Sequence, residues 1–163
     1  MATFDEHIKQ AQHNLHFLSS INDNTSVQNC IDWQVTVCFY TALHLVNAHL
    51  ATFSLQYRSH TDAKHALNPQ RAASPSKLPE DEYAAYISLQ MLSRRSRYLV
   101  NEKDGQIGAG QAAYTYDKHL AKAIRHLDRL AQYFQNRYKL SLPIVLMRCA
   151  GIKQGELHYL MLR

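Results

Sequence analysis

The chain has 163 residues, 46% of them hydrophobic and 19% charged, which excludes a disordered chain and supports one domain with its own core. Its three cysteines, Cys30, Cys38 and Cys149, form no CxxC-type pattern, so they read as reduced thiols rather than as a disulfide framework. The formal charge of +5 is uneven: residues 1–55 hold one Lys/Arg against four Asp/Glu, residues 56–100 seven against four, and residues 101–163 ten against five. A basic second half suits a polyanionic partner such as RNA, although the same excess is also common on solvated helical faces.

The opening MATFDEHIKQ carries acids where a secretory signal needs a basic start and an apolar run, so a cytoplasmic protein is expected. Thr3 and Glu6 make a capping box, and Phe4, Ile8, Ala11, Leu15 and Leu18 follow at helical spacing, predicting a first helix that ends near Ser20. INDNTS then reads as a turn. Thr25 and Gln28 can cap a second helix from about Val27 to Thr52, whose apolar residues Ile31, Val35, Cys38, Phe39, Ala42, Val46 and Leu50 place it centrally. Gln34, Thr36, Thr41, His44, Asn47 and His49 interrupt that segment, so it is a buried helix and no membrane span.

A short polar helix is expected within YRSHTDAKHALN, residues 57–68, and the proline-rich NPQRAASPSKLP is a loop. Pro79 suits the first position of the next helix, with Glu80, Asp81 and Glu82 at its positive end and Tyr83, Ile87, Gln90, Met91 and Arg94 leading to about Val100. NEKDGQIGAGQ breaks the pattern. A last long helix carries Tyr116, Leu120, Ile124, Leu127, Leu130, Phe134 and Tyr138. The fold expected is all-α, an antiparallel bundle of four to five helices over residues 1–140. Residues 141–163 form an apolar extension that either covers the bundle or docks on a partner.

The run DWQVTVCFYTALHLVNAHL, Asp32 to Leu50, is followed by the polar SHTDAKHAL and then by YISLQMLSRRSRYL, with Ser93, Ser96, Arg97 and Tyr98 in matching places. Together these resemble a group of bacterial HEPN-like proteins over roughly residues 5–138. The resemblance implies a helical bundle, often a homodimer. It implies a metal-independent endoribonuclease of toxin–antitoxin, CRISPR or antiviral defence systems using Arg-x(4–6)-His, a nucleotide or RNA binder, or an assembly module.

Metal-free RNA cleavage needs a base for the ribose 2′-OH, an acid for the leaving oxygen and a cation for the phosphorane charge. Arg58 and His65 have the family spacing, with His60 between them, and are the candidate catalytic residues. Two departures count against the match: Ser59 follows the arginine, and the motif precedes the third long helix instead of the last. If Ser59 caps the short helix, Arg58 falls outside it and both histidines read as surface or interhelical polar residues. Arg94, Arg95 and Arg97, with Lys64, are candidates for holding phosphate, and Tyr98 for stacking on a base; the alternative is a solvated basic helix end.

His13 with His16, and His44 with His49 or Asp32, lack a third ligand, so no metal and no cofactor are expected. Trp33 and Cys38 read as core, and GQIGAG lacks the lysine of a phosphate loop. Three functions remain: an RNA-binding effector, a silent dimerisation or scaffold module docking through Ile144–Leu162, and a nucleotide-sensing domain using the same arginines.

Overall fold

The computed structural model describes residues 2–57, 59–100 and 112–163. Among them lie five helices, α1 (Phe4–Asp23), α2 (Ile31–Ala51), α3 (His60–Leu67), α4 (Glu80–Tyr98) and α5 (Asp117–Tyr138), then two short strands, β1 (Leu146–Met147) and β2 (Met161–Leu162). The helices pack into an all-α bundle in which α2 lies against α1, α4 and α5. Its central place follows from its sequence: Val35, Cys38, Phe39, Ala42, Leu45, Val46 and Leu50 are all fully buried. No helix among the described residues is long and apolar enough to cross a membrane.

The expected capping box starts α1: the Thr3 side chain accepts from Glu6 N at 3.2 Å, and Glu6 accepts from Thr3 N at 2.7 Å. The helix runs past Ser20 because Asn22 finds partners that do not compete with the helical backbone. Its Nδ2 donates to Gln34 Oε1 at 2.8 Å and to Arg148 O at 3.0 Å, and its Oδ1 accepts from Arg148 N at 2.7 Å. The Thr25–Gln28 cap does not form. Asn24 Oδ1 instead accepts from Ser26 N at 2.9 Å, Gln28 N donates to Asn24 O at 2.8 Å, and this turn delays α2 to Ile31. Pro79 is the residue before α4, with φ −57° and ψ 157°, rather than its first helical residue. Leu99, at φ 55°, closes the same helix in the left-handed conformation.

Residues 141–163 cover the bundle. Leu142, Val145, Met147, Ile152 and Leu160 are buried in the same core as the helices. β1 and β2 pair in parallel, Leu146 opposite Met161. The fastening is polar. Asp128 of α5, 3% exposed, accepts backbone hydrogens from His158 at 2.9 Å, Tyr159 at 2.8 Å and Leu160 at 2.7 Å. Arg125 donates to Glu156 and, at 2.6 Å, to Gly151 O, while Arg163 pairs with Asp23. At Gly151 the chain passes so close to α5 that an added Cβ would lie 2.9 Å from Ala121 Cβ, so only glycine fits without a shift.

Candidate functional site

Ser59 fixes the register of α3. Its hydroxyl accepts from Thr61 N at 3.1 Å, so the helix begins at His60. From that start Lys64 lies one turn above His60, about 40° round the helix, whereas His65 is turned away by about 140°. On α4, Arg94 and Arg97 with Gln90, Met91 and Tyr98 recur at three- and four-residue steps and share one face. The two faces border one groove of about 570 Å³, with His60, Lys64, Arg94, Arg97 and Tyr98 on its walls and Ile87 and Met91 supplying apolar lining.

Arg97 is oriented by aromatic rings. Its guanidinium carbon stands 5.0 Å from the Tyr98 ring centre and 5.7 Å from that of Tyr40, and Nη1 donates weakly to both phenol oxygens at 3.5 and 3.4 Å. Neither Arg97 nor Lys64 makes an ion pair among the described residues. His60 sits beside Phe39, ring centres 5.7 Å apart. Burial first, and the Arg97 charge second, hold its pKa below the usual histidine value, which leaves a neutral imidazole able to accept a proton at neutral pH.

The other sequence candidates fall elsewhere. Arg58 and the GQIGAG stretch lie outside the described residues. His65 lines a different groove, of about 550 Å³, with Tyr57, Asp62 and Arg71. Arg95 donates from Nε to Tyr114 O at 2.9 Å, bracing the segment that leads into α5. Trp33, expected in the core, is 62% exposed, because the buried side of α2 is set by Val35, Cys38 and Phe39. Tyr40, a partner of Arg97, was not singled out from sequence; the signal was its place next to the inward Phe39, one residue or about 100° round the helix. Cys38 is fully buried among apolar neighbours and burial raises its pKa, as expected of packing.

A further groove of about 630 Å³ runs along α5 past Arg129, Arg137 and His158. It carries its own acids: Arg129 pairs with Asp81 at 2.8 Å and with Glu82 at 3.9 Å. Part of the Arg129 charge is therefore already neutralised there. Among the described residues no group of three or more His, Cys, Asp or Glu side chains is arranged to hold a metal ion. No family model, no curated protein and no solved structure matches the chain.

Proposed function

We propose that this chain is a HEPN-like RNA-binding protein that acts, as a cytoplasmic homodimer, as a metal-independent endoribonuclease effector of a defence or toxin–antitoxin system. The observation that carries the RNA-binding reading is the α3–α4 groove, where Lys64, Arg94 and Arg97 line one concave surface beside the exposed ring of Tyr98. Guanidinium and ammonium groups receive phosphate oxygens there, and an exposed phenol ring is a platform for an unpaired base.

In the cleaving form His60 takes the place that the sequence spacing gives to His65. Neutral His60 accepts the 2′-OH proton, the 2′-oxygen attacks phosphorus, and Arg94 and Arg97 carry the charge of the phosphorane. The P–O5′ bond breaks as Lys64 protonates the leaving oxygen, giving a 2′,3′-cyclic phosphate and a 5′-hydroxyl. The pocket-sized volume of the groove favours one second reading, a nucleotide-sensing domain that uses the same cations.

Fluorescence anisotropy with a labelled single-stranded RNA, repeated across a salt series, tests the binding. Arg94→Ala and Arg97→Ala each weaken binding and lower the salt slope by about 0.7 for every phosphate left without its cation. Thermal stabilisation by a nucleoside triphosphate without RNA binding would move the assignment to nucleotide sensing. Cleavage in EDTA that survives His65→Ala and is lost in His60→Gln supports the mechanism. Loss in Arg58→Ala and His65→Ala instead would return it to the Arg58–His65 pair. Deleting residues 141–163 does not test the scaffold reading cleanly, since it strips Leu142, Val145, Met147, Ile152 and Leu160 from the core.

A further inference from the structure

Arg97 joins the α3–α4 groove to a further helix. Its guanidinium carbon stands 5.0 Å from the ring centre of Tyr98, on the groove wall, and 5.7 Å from that of Tyr40, which belongs to α2. From Gln34 to Phe39 every residue of α2 is buried, so this stretch reaches solvent chiefly through the two rings that flank it, Trp33 and Tyr40, 62% and 37% exposed. Seven residues place these rings on one side of the helix, about 20° apart in direction and about 10 Å apart along the axis. With Tyr98, itself 61% exposed, they make three open rings that begin at the cations of the groove and lead away from them.

We infer that the groove is one end of a longer track for single-stranded RNA, in which the strand leaves past Arg97 and lays unpaired bases on Tyr40 and then on Trp33 of α2. The inference rests on the RNA-binding reading of the groove and adds to it the kind of RNA and a further binding residue, Trp33. Cations beside a row of open aromatic rings are what a single strand requires: the guanidinium groups follow the phosphates and each ring receives the face of a base. A duplex keeps those faces inside its own stack and has nothing to offer the rings. A protein partner would instead need a broad apolar surface, about 800 Å² on each side, where α2 presents separate rings over a buried stretch. Asp32, the acid next to Trp33, is turned about 100° round the helix and so lies off the track. At 3.4 Å for each stacked step, the distance from Tyr40 to Trp33 is about three nucleotides, so only a strand that runs on beyond the groove reaches the indole.

Trp33 is the only tryptophan of the chain, so its emission reports on this ring alone. The probe is a labelled 2′-O-methyl oligouridine, which lacks the attacking hydroxyl and survives the titration intact. Anisotropy of the label reads binding, and quenching of the indole reads stacking. A dodecamer quenches Trp33 in step with its binding, whereas a trimer, or a duplex of the dodecamer's length, leaves the emission unchanged. Trp33→Ala weakens the dodecamer about tenfold and leaves its salt slope unaltered, because no phosphate loses a cation; Trp33→Phe recovers most of the affinity. Binding of the dodecamer without quenching, or full affinity in Trp33→Ala, would remove the track and leave the groove reading standing. No binding of any strand would remove both. Emission that shifts with protein concentration in the absence of RNA, with no quenching by the dodecamer, would assign the indole to a contact between copies and overturn the inference.

Discussion

The seam between α5 and residues 141–163 and the groove between α3 and α4 use similar side chains to opposite ends. Along the covering segment charges are matched: on α5, Asp128 takes three backbone hydrogens and Arg125 meets Glu156, and Arg163 meets Asp23 at the end of α1. In the groove Arg97 rests against tyrosine rings, and neither it nor Lys64 makes an ion pair among the described residues. A charge satisfied within the fold holds the fold together. A charge propped by uncharged neighbours keeps its field for something outside.

Asp128→Ala puts the sharpest strain on this contrast. It leaves three backbone N–H groups without their acceptor, and at about 1.5–3 kcal/mol for a charged hydrogen bond the variant loses about 3 kcal/mol or more. Urea unfolding measures it, and a loss under about 1 kcal/mol would mean that the seam does not hold the covering segment. Arg97→Ala should do the reverse. Arg97 is partly buried and gives up its contacts with the Tyr40 and Tyr98 rings, so the variant loses about 1 kcal/mol at most in urea unfolding while weakening RNA about tenfold.

A third prediction concerns the interior. His49 is 1% exposed, with Nδ1 2.6 Å from the Tyr138 hydroxyl and Nε2 2.9 Å from Ser76 O. Ser76 O only accepts, so Nε2 carries the hydrogen and Nδ1 accepts from Tyr138; the neutral ring is fully used. Burial foremost lowers its pKa, with the Arg137 charge acting in the same sense and the Ser76 bond opposing it; His119 and His126 are lowered by burial first and neighbouring cations next. Lowered folded values mean that the unfolded chain binds protons more readily. The stability is therefore fully present above the unfolded pKa of about 6.5 and is lost as pH falls from there toward the folded values. Urea midpoints between pH 7.5 and 5 should show this decline, with a shallower slope in His49→Asn.

The smallest effect is a gain. Tyr86 is fully buried and its hydroxyl has no hydrogen-bond partner among the described residues, so Tyr86→Phe should stabilise the chain by about 1 kcal/mol. A loss of similar size would show that the hydroxyl has a partner after all.

The helices were legible because apolar spacing is a local property: the stripe from Phe4 to Leu18 and the run from Leu120 to Phe134 each announce a buried face. Helix starts were less so. Thr25 and Asn24 were both competent to organise the chain there, and the asparagine's side chain reached the backbone two residues on. In the groove, Lys64, Arg94, Arg97 and Tyr98 were legible as chemistry. Which histidine joins them depended on where Ser59 starts α3, since five residues turn a side chain from one face to another. Asp128 gave no sign, for an acid in a charged helix reads as solvated until the segment it grips is in place.

The Asp128 carboxylate grips the covering segment by its backbone alone. It holds amide hydrogens, which every residue but proline carries, so it places no demand on the side chain it fastens at position 158, exposed at the rim of the α5 groove. That position is free to drift across variants of the chain, redecorating the rim, while the carboxylate that anchors it has no such freedom.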